Sequence, residues 1–511
     1  MTPISVSPRT TRQGVAAGLL AAATALAVGE LVSGLVRGTT SPVVSVGGFV
    51  IDHVPPSLKV YAIRTFGTND KPALIIGTLV LLSLFAAGVG VVARRRRWLG
   101  RVGIALFGLV GVAAALSRPA ARTVDVLPSV LGALIGMCAL MWLLRAPSMS
   151  EGGSSSGVGR RTFLLSGAGV GLAAAATGGL GRQLRKRFAI SSSRLGVALP
   201  APASPAPPVP AGVSLGVDGV APFITPNADF YRIDTTLVTP QVDPDTWRLR
   251  IHGMVDKEIT LSYQDLLKRP LRERDITMIC VSNEVGGEYS GTARWLGVPL
   301  ADVLKEAGVK PGANQMVSRS VDGWTCGTPV ANVTDGRDAM IVVGMNGEPL
   351  PLAHGFPARL VVPGLYGFVS ATKWVTDIEL TTFDAFDAYW VKRGWSREAP
   401  IKTMARIDTP KGLSRSAAGK TVIAGVAWAV HRTVMKVEVQ IDGGLWQEAT
   451  LGQTPTADTW VQWKLDWEAT PGNHTIVCRA TDGTGALQTE ERAKPIPNGA
   501  SGWHTVVVFK E

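Results

Sequence analysis

The 511-residue chain contains four cysteines, Cys138, Cys280, Cys326 and Cys478, and no two of them form a CxxC or CxxCH pair. A zinc ribbon, an iron–sulfur cluster, c-type haem attachment and a disulfide framework therefore all lack support. Cys280 differs from the others in its place. It closes the apolar run Asp275-Ile276-Thr277-Met278-Ile279 and opens a loop rich in Gly, Ser and Asn. Proteins put chemistry in loops at strand ends, although a cysteine after Thr-Met-Ile, taken alone, reads as core. Three blocks around it alter that weighting. The first is Pro226-Asn227-Ala228-Asp229-Phe230-Tyr231-Arg232. The second is Cys280-Val281-Ser282-Asn283 with Trp295-Leu296-Gly297-Val298-Pro299-Leu300. The third is Met345-Asn346-Gly347-Glu348-Pro349-Leu350-Pro351, then His354-Gly355-Phe356-Pro357-Ala358-Arg359-Leu360-Val361-Val362-Pro363-Gly364, and Lys373-Trp374.

These blocks need elements to hold them. Residues 215–400 mix strands and helices: a buried strand over Asp275–Cys280, a short amphipathic helix over Ala301–Ala307, and a second apolar strand over Ala358–Val362 stopped by Pro363-Gly364. Residues 401–511 read as all-β. Val437, Val439 and Ile441 alternate with polar neighbours before the turn Asp442-Gly443-Gly444, and Val461, Trp463, Leu465 and Trp467 repeat the period of two. Short alternating strands between turn signals predict an immunoglobulin-type sandwich, with Cys478 a buried free thiol. Residues 196–213 are rich in Pro and Ala and read as a semi-rigid spacer.

The blocks resemble the sulfite oxidase family of molybdenum enzymes over essentially all of residues 215–511. The tail resembles that family's immunoglobulin-like dimerisation domain, which implies a homodimer. The resemblance implies one molybdenum held by a pyranopterin dithiolene (Mo-molybdopterin) and by one protein thiolate, Cys280, which is both metal ligand and catalytic centre. A soft anionic sulfur suits this metal. The pterin ends in a phosphate, for which Arg359 offers a bidentate fork and Lys373 a point charge. By the same resemblance His354 hydrogen-bonds the pterin, Asn227, Tyr231 and Arg232 form the first cofactor-contact segment, and Asn283, Ser370 and Thr372 approach the cofactor.

The preceding residues have another composition. Hydrophobic residues make up 46% of the chain and charged residues 18%, which excludes a disordered protein and is too apolar for a purely soluble one. Residues 1–195 hold 21 Lys and Arg against 5 Asp and Glu, whereas residues 196–511 hold 30 against 34. The basic excess belongs to the apolar part, so a nucleic-acid partner is not expected. Five segments approach the roughly 20 apolar residues that a membrane span needs: Val15–Val36, Pro72–Ala93, Val102–Ser117, Val126–Leu144 and Thr162–Gly181. Val43–Ile51 is too short and reads as a loop packed on the bundle. Of the five segments, the third is short and the first carries Glu30, so four and six helices stand as alternatives to five. The basic loop Arg94–Arg101 belongs on the cytoplasmic side, so an odd count of five would carry everything after residue 182 outside, against the pull of the basic stem Arg182–Arg187. Gly159-Arg160-Arg161-Thr162-Phe163-Leu164-Leu165 before a weakly apolar stretch resembles an internal twin-arginine export signal, which carries folded domains. His53 is the only histidine before His252, which excludes a bis-histidine haem in the bundle; no haem or iron–sulfur centre is expected in the chain.

The expectation is thus a multi-pass membrane protein with its catalytic domains on the extracytoplasmic side. It has a transmembrane domain (1–181), a stem and linker (182–214), an α+β molybdopterin domain (215–400) and an immunoglobulin-like domain (401–511). Sulfite-oxidising members carry an arginine directly after Cys-Ala-Gly-Asn and another in a Gly-Ala-Arg. Here Glu284 and Gly367-Phe368-Val369-Ser370 stand at those places. A carboxylate and an apolar residue there, if desolvated, would repel a dianion, so a sulfoxide-like or other neutral small molecule is the expected substrate, reduced by oxygen-atom transfer. Sulfite or another sulfur compound oxidised at the same centre is the alternative, and a non-catalytic surface or assembly protein the alternative of another class. With molybdenum as sole redox centre, an external carrier, a cytochrome or a quinone-linked protein, must exchange the electrons.

Overall fold

The computed structural model describes residues 8–36, 39–55, 58, 65–66, 70–118, 121–145, 156–187, 194 and 196–511. The chain divides into two compact units, Met1–Ala189 with Thr236–Thr239, and Ile190–Thr235 with Pro240–Glu511.

The first unit is helical: α1 (Pro8–Leu35), α2 (Pro42–His53), α3 (Asp70–Arg95), α4 (Arg97–Leu116), α5 (Leu127–Leu143) and α6 (Ser156–Arg187). Four stretches of the described residues are long and apolar enough to cross a membrane, Thr11–Leu35, Lys71–Arg95, Arg97–Leu116 and Thr123–Leu143. The fifth expected span lies within α6, where the side chains of residues 156–164, which include Arg160 and Arg161, lie outside the described residues. Small residues let the helices approach closely. A Cβ added at Gly18 of α1 would stand 2.0 Å from the Ala86 carbonyl oxygen of α3, and one at Gly132 of α5 would stand 2.4 Å from that of Ala25. The segment expected as a loop, Val43–Ile51, is instead helix α2. Ser41 caps it by accepting a hydrogen bond from the Val44 N–H, and Pro42 opens its first turn, a start signal that an argument from span length passes over.

The second unit is built on sheets. Strands β1 (Arg248–Gly253), β2 (Ile259–Ser262), β5 (Gln315–Ser320), β6 (Thr325–Pro329) and β10 (Val375–Thr381) form one sheet in the order β2-β1-β10-β5-β6. A second sheet runs β3 (Arg272–Ile279), β4 (Ser290–Pro299), β7 (Met340–Met345), β8 (Glu348–Pro349), with β9 (Arg359–Val361) also on β7. β3 and β4 form a hairpin that pairs Ile279 with Ser290. Its register is secured by the buried Asp275, whose carboxylate accepts two hydrogen bonds from Arg294, each of 2.8 Å. Helix α7 (Leu300–Ala307) continues β4 and buries Leu300, Val303, Leu304 and Ala307.

Residues 404–510 form two further sheets. One is β11 (Met404–Thr409), β13 (Gly419–Trp428), β17 (Val461–Ala469) and β16 (Thr450–Leu451). The other is β12 (Arg415–Ser416), β19 (His504–Lys510), β18 (Gly472–Asp482), β14 (Val434–Ile441) and β15 (Gln447–Glu448). Ala405, Ile423 and Trp463 of the first share one core with Val437, Val439, Ile476 and Cys478 of the second. The Pro/Ala-rich stretch is not a free spacer. Ser204 donates its N–H to the Leu271 carbonyl at 3.2 Å and accepts from the Glu273 N–H at 2.9 Å. Farther on, the Gly212 carbonyl accepts from the Gln453 N–H at 2.9 Å. An extended, proline-rich backbone keeps its carbonyls available, and the sheet edges use them.

Candidate functional site

Cys280 stands one residue past the end of β3 and is 9% exposed. The loop that follows is closed on itself. The Cys280 N–H donates to the Tyr289 carbonyl at 2.9 Å, the Asn283 N–H donates to the Cys280 carbonyl at 2.9 Å, and buried Asn283 accepts the Tyr289 N–H at 2.8 Å through Oδ1. The Ser282 N–H points to the sulfur at 3.4 Å. Burial holds the thiol above its ordinary value, so a thiolate here requires a compensating cation. Among the described residues no three His, Cys, Asp or Glu side chains converge as metal ligands. A metal at Cys280 would take its remaining donors from a cofactor.

The third block surrounds a buried cation. Arg359, at the start of β9, is 4% exposed. Its guanidinium donates to the His354 carbonyl at 3.2 Å and reaches the Met278 sulfur at 3.7 Å. It lies over the Trp295 ring, 5.1 Å from the centroid. Burial lowers its pKa to about 10. Among the described residues no carboxylate pairs with it, and a buried charge left in this state is costly unless an anion arrives. This uncompensated fork fits the phosphate end of a pterin cofactor.

His354 is buried, its ring edge-on to Phe230 at 5.6 Å, with Nε2 3.3 Å from the Asn227 carbonyl. Burial first, then the Arg359 and Lys373 cations, lowers its pKa to about 4, so the ring is neutral and its Nε2–H donates to that carbonyl. Lys373 donates to Asp234 at 2.7 Å and to the Ala353 carbonyl at 3.1 Å; burial brings its pKa down to about 8 despite the acid. Arg232 also pairs with Asp234, at 2.9 Å. Gly355, at φ +113°, allows this crowding, because a Cβ there would lie 3.1 Å from the Cβ atoms of both Arg359 and Lys373.

Asn227 is held by the turn after β7. Asn346, at φ 52°, donates to the Asn227 side-chain oxygen at 2.9 Å, and Asn227 donates to Glu348 at 2.5 Å. Tyr231 stacks on Phe230 at 5.2 Å, and burial, with Cys280 contributing, keeps its phenol protonated. The hydroxyls of Ser370 and Thr372 are occupied within the chain: Ser370 donates to the Leu365 and Tyr366 carbonyls, and Thr372 pairs with Ser318 at 2.7 Å. Glu284 is exposed and Phe368 buried.

Three participants went unsingled in the sequence reading. Asp234 organises both Arg232 and Lys373. Trp295 floors the Arg359 guanidinium. Tyr366, pushed up to about 12 mainly by burial with Cys280 adding to it, is near enough to the cysteine to feel its charge. Tyr366 and Trp295 sat inside or beside the quoted blocks, and Asp234 two residues beyond one. Trp295 meets Arg359, and Asp234 meets Lys373 across 139 residues of sequence, contacts which no local pattern carries.

Residues 236–390 match the family described as the oxidoreductase molybdopterin binding domain. The mitochondrial sulfite oxidase of Rattus norvegicus is 31% identical over 339 residues, 56% of this chain and 61% of the rat protein. The chain thus spans about three fifths of the length of that relative. An uncharacterized oxidoreductase of Bacillus subtilis, YuiH, is 32% identical over 157 residues, 30% of this chain and 74% of that protein. Among solved structures, the sulfane dehydrogenase SoxCD of Paracoccus pantotrophus shares the fold at a TM-score of 0.50 and 24% identity, over 58% of this chain and 85% of that one. The chain belongs to the sulfite oxidase family of molybdopterin-binding oxidoreductases.

Proposed function

We propose that this chain is a membrane-anchored molybdenum oxidoreductase with its catalytic domains on the extracytoplasmic side, reducing a small neutral oxide of the sulfoxide type. The single observation that carries the cofactor reading is the buried, carboxylate-free guanidinium of Arg359. Cys280 would be the one protein ligand to molybdenum. Arg359 and Lys373 would hold the phosphate end, and neutral His354, Asn227, Tyr231 and Arg232 would line the pterin, with Asn283, Ser370 and Thr372 contributing backbone or nearby donors. When bound, the cofactor supplies two-electron oxygen-atom transfer. The chain's own residues fix its orientation, neutralise its phosphate and exclude water from the thiolate.

Glu284 and Phe368 stand where sulfite-oxidising members carry cations, and the lack of that counter-charge favours a neutral substrate over a dianion. Sulfite oxidation is the second reading, favoured by the mammalian relatives. The sheets of residues 404–510 are assigned to an immunoglobulin-like sandwich, suited to a homodimer contact. The apolar helices would anchor the enzyme beside a cytochrome or quinone-linked electron carrier. The test is metal analysis of the purified protein, followed by dye-coupled assays with dimethyl sulfoxide and with sulfite. One molybdenum per chain and turnover of the sulfoxide support the reading; protein free of molybdenum from a cofactor-competent host overturns it, and turnover of sulfite alone reverses the direction.

A further inference from the structure

The loop after Cys280 is gripped from the C-terminal sandwich. Arg406, on β11, donates from Nη1 to the Gly287 carbonyl at 2.9 Å and to Ser290 Oγ at 3.0 Å. The same guanidinium is fixed by Asp408 at 2.6 Å, with both side chains 9% exposed. Between Gly287 and Ser290 lies Tyr289, whose carbonyl accepts the Cys280 N–H. His504, at the start of β19, accepts the Ile407 N–H through Nδ1 at 3.0 Å. Its other edge meets Gly286 (φ +82°), where an added Cβ would stand 2.3 Å from Nε2. Burial and the Arg406 cation, with Arg492 adding to it, bring its pKa down to about 4, so the imidazole is neutral. The strand leading to the cysteine is tied to the same domain: Thr277 donates its N–H to the Asp458 carbonyl at 2.8 Å and accepts from the Trp460 N–H at 2.7 Å.

We infer that Arg406 and His504 are positioning residues for the cysteine ligand, so that the C-terminal sandwich completes the metal site from the outside of its loop. The chain of contacts is short. Arg406 fixes Gly287 and Ser290, those residues fix the Tyr289 carbonyl, and that carbonyl fixes the Cys280 backbone. His504 blocks the loop from swinging toward the sandwich at Gly286. A bidentate, buried guanidinium has one orientation, and it transmits that orientation to the groups it holds. A metal ligand is tuned by the groups that orient it as much as by its own identity. Neither residue touches the cofactor in this account. The inference rests on the reading of Cys280 as the molybdenum ligand.

The experiment uses the full chain with Ser290→Ala and Arg406→Lys. Ser290→Ala removes one acceptor and little else, and Arg406→Lys keeps a cation beside Asp408 but loses the fork. On cofactor-free protein, the rate of iodoacetamide alkylation at Cys280 is followed by peptide mass spectrometry, with the same peptide from urea-unfolded protein as the reference. On loaded protein, the thiolate-to-molybdenum charge-transfer absorption is recorded. The expected result is a melting temperature near wild type, alkylation of Cys280 at least several-fold faster, and a shifted absorption band. Wild-type alkylation and an unmoved band in both folded variants overturn the inference, as does a lowered melting temperature with both signals unmoved. If Arg406→Lys fails to fold, Ser290→Ala decides. Wild-type protein that takes no molybdenum overturns the ligand reading instead, and the alkylation measurement still decides whether the sandwich sets the loop.

Discussion

The guanidinium of Arg359 lies 5.1 Å from the centroid of the Trp295 indole and reaches the Met278 sulfur of β3, two residues before Cys280, at 3.7 Å. The aromatic face offers a desolvated cation some compensation, on the order of 2 kcal/mol. That is too little to offset full burial of the charge, so the site is set up for an anion before one binds.

Replacing Arg359 with Met therefore separates stability from binding. A flexible apolar side chain of similar length fills the space, and removing an unpaired buried charge should leave the cofactor-free protein as stable as wild type or more so, by about 1 kcal/mol. Molybdenum content should fall at least tenfold. Thermal melting of cofactor-free protein and metal analysis of purified protein check the two halves; wild-type metal content would remove Arg359 from the cofactor site.

Gly355→Ala tests the crowding directly. A Cβ at φ +113° would press on Arg359 and Lys373 at once. Backbone strain and the displaced side chains should together cost about 1–3 kcal/mol and lower molybdenum content. The control is Gly347→Ala, which has a positive φ but nothing within 4 Å and should cost only its strain. Equal metal content in the two variants would argue against a contact role for Gly355.

Much of this site is local in sequence. The apolar run 275–279 forms β3 and delivers Cys280 to a loop as its neighbours imply, and Val437 and Val439 alternate inward on β14 as their period of two requires. What could not be read is what other parts of the chain supply. Asp234 reaches Lys373 across 139 residues, and Arg406 reaches Gly287 across 119. The docking of residues 197–213 uses mostly its backbone N–H and carbonyl groups, met by other backbone groups and by the side chains of Glu273, Arg274 and Arg294, partners about 70 residues or more away that the stretch itself does not mark. Helix α2 was legible in principle, through Ser41-Pro42, but a criterion of span length does not register a cap.

On the proposed topology, Arg160→Lys with Arg161→Lys should leave the first four spans, α1, α3, α4 and α5, inserted and strand the second unit on the cytoplasmic side. The arginine pair, the following Phe163-Leu164-Leu165 and the weakly apolar stretch motivate the expectation; two lysines keep the positive charge and so keep any ordinary positive-inside effect. Protease added to spheroplasts should digest the wild-type second unit and spare that of the double variant. Equal digestion of both would mean that charge alone sets the side.

The last prediction concerns the sandwich and pH. His474 lies between two acceptors, Asp442 at 2.6 Å from Nδ1 and the Thr470 carbonyl at 2.7 Å from Nε2. Only the imidazolium can donate to both, and the hydrogen bond to Asp442, then that to Thr470, raises its pKa above the ordinary value. A folded value above the unfolded one, about 6.5, means the pair stabilises the fold fully below that pH. The contribution is lost as pH rises through the raised folded value. Asp442 is half exposed, so solvent screens the pair and its worth is about 1 kcal/mol. The check is a comparison of wild type with His474→Gln by thermal melting between pH 5.5 and 8.5. The advantage of wild type should be largest at the acid end and shrink toward the alkaline end. An advantage that is flat or grows with pH would mean that the histidine is neutral in the folded chain and that its two hydrogen bonds have been assigned the wrong donor.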